Sequence, residues 1–113
     1  MKLSLFLTAA AVAFGAALAL PGAAEARDRI QVTGSSTVFP FTTAVAERFG
    51  QRSGKAPIVE STGTGGGMRL FCAGVGVNTP DAANASRRIT ASEFETCRKN
   101  GVTPIEIVVG FDG

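Results

Sequence analysis

Ile30-Gln31-Val32-Thr33-Gly34-Ser35-Ser36-Thr37-Val38-Phe39-Pro40 is the stretch whose reading decides the fold. Ile30 to Thr33 alternates apolar and polar residues, the period of a β-strand. Gly34-Ser35-Ser36-Thr37 follows as a hydroxyl-rich loop, and Pro40 suits the first turn of a helix. The same grammar returns downstream. Pro57-Ile58-Val59-Glu60 reads as a strand, and Ser61-Thr62-Gly63-Thr64-Gly65-Gly66-Gly67 as a second glycine- and hydroxyl-rich loop before a helical run. A helix N-terminus carries unpaired N–H groups and a partial positive charge. Hydroxyls beside it make an oxyanion cradle. Two such loops, one strand–helix unit apart, can close on one small anion from two sides.

Outward from these loops, Phe41, Ala44, Val45, Arg48 and Phe49 fall near one face at helical spacing, and Gly50 with Ser53-Gly54 ends that helix. Met68 to Ala73 is expected as a short helix, Gly74 to Pro80 as a turn region, and Ala82 to Ser86 as a short strand. Thr90-Ala91-Ser92-Glu93 has capping-box spacing, so a helix to about Asn100 is expected, stopped by Gly101. Ile105 to Val109 reads as a last strand. The order β-α-β-α-β-α-β predicts an α/β fold, a mostly parallel sheet flanked by helices. Ligands of open α/β sheets bind outside the carboxyl ends of strands, where both loops fall.

The N-terminus reads differently. Lys2 precedes an apolar stretch from Leu3 to Leu20, broken by Pro21-Gly22 and followed by Ala24-Glu25-Ala26. This is the pattern of a secretory signal peptide over residues 1–26, cleaved after Ala26, with no stable membrane insertion afterwards. The mature part, 27–113, is small for a self-sufficient core. Without Lys2 and Glu25, the eleven Lys/Arg and nine Asp/Glu become ten and eight. Such a mild balance, with no basic stripe among aromatics, argues against nucleic acid. His is absent, which removes His-based metal sites and every Ser-His or Cys-His nucleophile pair. No cofactor is expected. Cys72 and Cys97, an even count in an exported chain, are expected as a disulfide. Its loop of about 25 residues would stabilise by about 3 kcal/mol in the chain-entropy model. The chain stops just past the expected last strand, and the expected reading is the front part of a longer protein or a severely shortened relative.

Each motif has a plainer alternative. Gly34–Thr37 could be only an N-cap, although capping needs one hydroxyl and three stand in a row. Ser61–Gly67 could be only a flexible turn. It is no Walker loop, because no Gly-Lys-Ser/Thr follows, and a dinucleotide pattern would need glycine where Met68 stands. Arg87 and Arg88 offer forks that match tetrahedral oxyanions, or else a solvated pair. Arg87, directly after the short strand, is the better candidate ligand. Arg69 is expected to be solvated, and Glu93 and Glu95 to be capping and surface charge. No acid/base pair that would support hydrolysis is evident.

Three segments together resemble the substrate-binding proteins of phosphate ABC transporters. They are Val32 to Pro40, Glu60 to Gly67, and Asn84-Ala85-Ser86-Arg87. The resemblance covers the whole mature chain and implies a type II periplasmic-binding fold, of which this chain matches the front of the first lobe. It implies a periplasmic, monomeric receptor that captures inorganic phosphate for the membrane permease of an ABC importer and is not an enzyme. By position it implies ligand contacts from Ser36, Thr37 and the N–H of Val38 or Phe39, and from Thr64. Many members carry Asp where Arg87 stands here, accepting the proton of monohydrogen phosphate. Arginine cannot accept a hydrogen bond. A receptor for sulfate or another tetrahedral oxyanion is therefore the alternative. A small secreted hydrolase using Ser36 or Thr64 as nucleophile is the alternative of another class, disfavoured without His.

Overall fold

The computed structural model describes residues 27–112; the signal peptide expected over 1–26 lies outside them. Three parallel strands form one sheet: β1 (Gln31–Gly34), β2 (Ile58–Ser61) and β3 (Ala82–Asn84), in the order β2-β1-β3. Three helices connect and follow them: α1 (Phe39–Ser53), α2 (Thr64–Phe71) and α3 (Ala91–Lys99). The α/β expectation is borne out. β1 is the central strand, and its successive residues Val32 and Thr33 are both buried. Successive strand residues point to opposite faces, so both faces of β1 are covered.

Local chemistry explains the helix boundaries. Pro40 sits in the first turn of α1, and Gly54, with φ 79°, ends it while its N–H bonds the Gly50 carbonyl. A Cβ on Gly50 would lie 2.6 Å from the Ala56 Cβ, so glycine there lets the chain fold back into β2. α3 has the full capping box: Thr90 Oγ1 accepts the Glu93 N–H, and the Glu93 carboxylate accepts the Thr90 N–H at 2.9 Å. Its end is a Schellman turn. Val102 N–H reaches the Cys97 carbonyl at 2.9 Å, Gly101 N–H reaches Arg98 at 3.1 Å, and Gly101 takes φ 74°.

Cys72 at the end of α2 and Cys97 in α3 form the expected disulfide, 25 residues apart in sequence. Both are fully buried, with Val102 beside them and Phe71 packed against the cluster. Asn100 Nδ2 donates to the Cys72 carbonyl at 2.7 Å, closing the same corner.

Two expectations are corrected. The second helix starts at Thr64, not Met68, so Gly65, Gly66 and Gly67 are helical rather than loop. The reason is a close approach: a Cβ on Gly67 would lie 2.5 Å from the Gly34 Cα, so only glycine lets α2 seat on β1. The strand expected over Ile105 to Val109 is absent; the segment pairs with no strand among the described residues. Its apolar side chains are exposed, Ile105 and Val109 almost wholly. Alternation records a tendency to extend, whereas a strand requires a ladder partner. The α1 stripe of Phe41, Val45 and Phe49, whose side the sequence left open, faces outward, and Ala46 is the buried residue of that helix.

Candidate functional site

Register builds the site. Gly34 pairs with Ser61 of β2 and with Asn84 of β3. All three strands run the same way, so the segments Ser35–Thr37, Thr62–Thr64 and Ala85–Arg87 leave the sheet side by side at its carboxyl edge. The ladder continues one peptide further on both sides of β1. Thr62 N–H donates to the Gly34 carbonyl at 2.9 Å, and Ser35 N–H donates to the Asn84 carbonyl at 3.0 Å. Gly34, with φ 135°, has no room for a side chain: a Cβ would lie 2.1 Å from the Asn84 oxygen.

In the first loop the three hydroxyls divide their work. Ser35 is buried; its Oγ accepts the Val38 N–H at 3.3 Å and its carbonyl accepts the Phe39 N–H at 3.0 Å. One hydroxyl therefore braces the turn that leads into α1, whose N-cap Val38 has no side-chain cap. Ser36 and Thr37 stand on the exposed turn that leads into α1, and neither their hydroxyls nor their N–H groups have a partner among the described residues. An anion that used the Val38 N–H would share it with Ser35. Asn84 Nδ2 donates to Thr42 Oγ1 at 2.9 Å, which ties β3 to α1 and holds the first loop against the third.

In the second loop, Gly63 takes φ 75° and turns the chain into α2. The first intrahelical bond is from Gly67 N–H to the Gly63 carbonyl at 2.9 Å. The N–H groups of Thr64, Gly65 and Gly66 are thus left without intrahelical acceptors. Thr64 reaches across to the third segment. Its Oγ1 accepts the Ser86 N–H at 3.2 Å and lies 3.2 Å from Ser86 Oγ.

Arg87 lies beside this helix start, its Nη2 being 3.9 Å from where a Gly65 Cβ would sit. Its fork is engaged: Nη1 and Nη2 donate to the two carboxylate oxygens of Glu93 at 2.9 and 2.8 Å, and Nη1 also donates to the Arg88 carbonyl. The bidentate bond from Arg87, followed by that from the Thr90 N–H, holds the Glu93 carboxyl down at about 2, and the same bond raises the Arg87 pKa. Sequence reasoning assigned Glu93 its cap but not this second task. It also passed over Ser86, whose meeting with Thr64 follows from strand register and not from any spacing in the chain. Among the described residues no cluster of His, Cys, Asp or Glu could hold a metal ion.

Known proteins share this sequence and fold. A family model for a PBP superfamily domain matches residues 21–113. Protein SphX of Synechococcus elongatus is 46% identical over 91 residues, covering 80% of this chain and 26% of that protein. Protein SphX of Synechocystis is 43% identical over 84 residues, covering 74% of this chain and 24% of the relative. A solved structure, described as a possible phosphate binding protein from Planctomyces limnophilus, superposes with TM-score 0.58 at 42% identity, over 65% of this chain and 25% of its own. The chain thus spans about a quarter of the length of the proteins it matches.

Proposed function

Because the chain belongs to the PBP superfamily domain family, we propose that it is a solute receptor that captures inorganic phosphate. The observation that carries this reading is the convergence of three loops at one sheet edge. There, the hydroxyls and N–H groups of Ser36 and Thr37 and the N–H groups of Thr64 to Gly66 are without partners among the described residues. Dipole-oriented N–H groups favour a compact anion, and neutral donors hold it without a counter-ion. In this proposal Ser36, Thr37, Val38 and Thr64 touch the anion, and Arg87 supplies positive potential partly offset by Glu93. Residues 27–113 contribute to the first lobe of a two-lobed clamp whose closure excludes water. Residues 1–26 direct export to the periplasm, and the receptor, a monomer, hands phosphate to the permease of an ABC importer without hydrolytic chemistry. The relative described as a possible phosphate binding protein supports this choice of anion.

Sulfate is the competing ligand, favoured by Arg87, which cannot accept a hydrogen bond from a protonated oxyanion. Isothermal titration of the protein with phosphate and with sulfate separates the two. Tighter binding of phosphate is expected. Equal binding would remove the phosphate assignment and leave an oxyanion receptor. Binding of neither would remove both.

A further inference from the structure

We propose that Ser86 is a positioning residue that makes the Thr64 hydroxyl an obligate hydrogen-bond donor to the anion, an inference that rests on the oxyanion-receptor reading above. A hydroxyl has one hydrogen and two acceptor lone pairs. The Ser86 N–H, 3.2 Å from Thr64 Oγ1, occupies one lone pair. Ser86 Oγ lies 3.2 Å from the same oxygen, a contact in which either hydroxyl can donate, and in this proposal Ser86 donates into the second lone pair. With both acceptor positions filled by one residue, Thr64 can only give its proton. It gives it at the start of α2, where the Thr64, Gly65 and Gly66 N–H groups are without intrahelical acceptors.

Two features keep Ser86 in place. The Arg87–Glu93 fork fixes the next residue to the first turn of α3. On the other side, Asn84 is bound through its carbonyl to Ser35 and through its side chain to Thr42. The consequence is selectivity. An obligate donor pairs with a bare oxygen and not with a protonated one, so Ser86 favours the more ionised form of the ligand. Without Ser86 Oγ, Thr64 regains an acceptor lone pair and tolerates a P–OH group.

The test is titration of inorganic phosphate, below and above its second ionisation, into the wild type, Ser86→Ala and Thr64→Val. Wild-type affinity should rise with pH across that range. Ser86→Ala should bind about five- to tenfold more weakly at the higher pH, the size of one lost neutral hydrogen bond, and its pH dependence should flatten. Ser86→Thr, which keeps a hydroxyl, should restore the slope. If Ser86→Ala loses its thermal transition, Ser86→Cys, with a far weaker donor, reads the same slope. The double variant should lose no more than Thr64→Val alone, because both changes remove one unit. A Ser86→Ala protein with wild-type affinity and slope, or additive losses in the double variant, overturns the role of Ser86 and leaves the receptor reading standing. A wild type that binds no oxyanion overturns both.

Discussion

The two helix-opening loops follow the same plan and are held by different means. The first, after β1, has its turn braced from within by Ser35 Oγ, while the strand end behind the turn, at Gly34 and Ser35, lies against Asn84 of β3. The second, after β2, is fastened at a distance. Thr64 is tied to Ser86, and the far end of α2 is pinned to α3 by the Cys72–Cys97 bond. Local fastening leaves Ser36 and Thr37 free of internal duties. Remote fastening makes Thr64 depend on the third segment. The turn of the first loop can therefore be perturbed by its own Ser35, whereas the hydroxyl of the second answers to residues more than twenty positions away.

The largest effect should come from the shared seam. Gly34→Ala places a Cβ 2.1 Å from the Asn84 carbonyl oxygen, at φ 135°. It should cost upwards of about 3 kcal/mol, read as a collapse of the urea midpoint. Gly65→Ala is its control. The nearest atom to that Cβ is Arg87 Nη2 at 3.9 Å, so stability should hold while phosphate affinity falls. Equal destabilisation by the two substitutions would break the account of the seam. Next comes reduction of the disulfide, worth about 3 kcal/mol for a loop of this length. Hydrogen exchange should then quicken in α2 and α3 before α1; uniform quickening would erase the contrast between local and remote fastening. Ser35→Ala should cost about 1 kcal/mol, the usual net value of one neutral hydrogen bond, and should loosen the first loop alone.

The smallest effect is acid sensitivity. Glu93 is held at about 2 against an ordinary 4.5, so its contribution is complete above pH 4.5 and is lost as pH falls from there towards 2. Most of the Glu93 side chain is covered yet the pair borders solvent, and salt should weaken it further. Glu93→Gln should flatten thermal stability between those pH values. An unchanged acid profile would mean the fork does not hold the third segment.

Much of this was legible in the residues themselves. Pro40, Gly54, the Thr90–Glu93 box and Gly101 each mark a helix boundary by local chemistry, and the structure places boundaries there. The disulfide followed from two cysteines with no other partner. What failed to show was whatever depended on neighbours in space. Gly65 to Gly67 look like loop because glycine disfavours helix, yet the seam with Gly34 requires a bare backbone at Gly67. Ile105 to Val109 alternate like a strand, but alternation names no partner. Phe41, Val45 and Phe49 trace a helical stripe without telling which side of α1 meets the sheet. At the site, the hydroxyl loops were visible, but the links from Thr64 to Ser86 and from Arg87 to Glu93 depend on register and on side-chain reach.

The strand order carries a consequence for how the molecule comes together. β1 meets β2 after a short excursion through α1, but it meets β3 only across a span of 50 residues, as in the bond from Asp81 N–H to the Gln31 carbonyl. Asp81 also accepts the Gln31 N–H at 2.8 Å, and Arg27 bridges to Asp81 and to the carbonyls of Gly76 and Thr79. Closing the longer span costs more chain entropy and is expected late. Pulse-labelled exchange during refolding should protect Ile58 N–H, bonded to Ile30, before Ser35 N–H, bonded to Asn84; simultaneous protection would contradict it. Since Ser86 arrives with β3, Thr64 acquires its orientation only at that last closure. In the proposed reading, this edge of the anion site is assembled only once the long β1–β3 span has closed, so that binding of phosphate would report that closure.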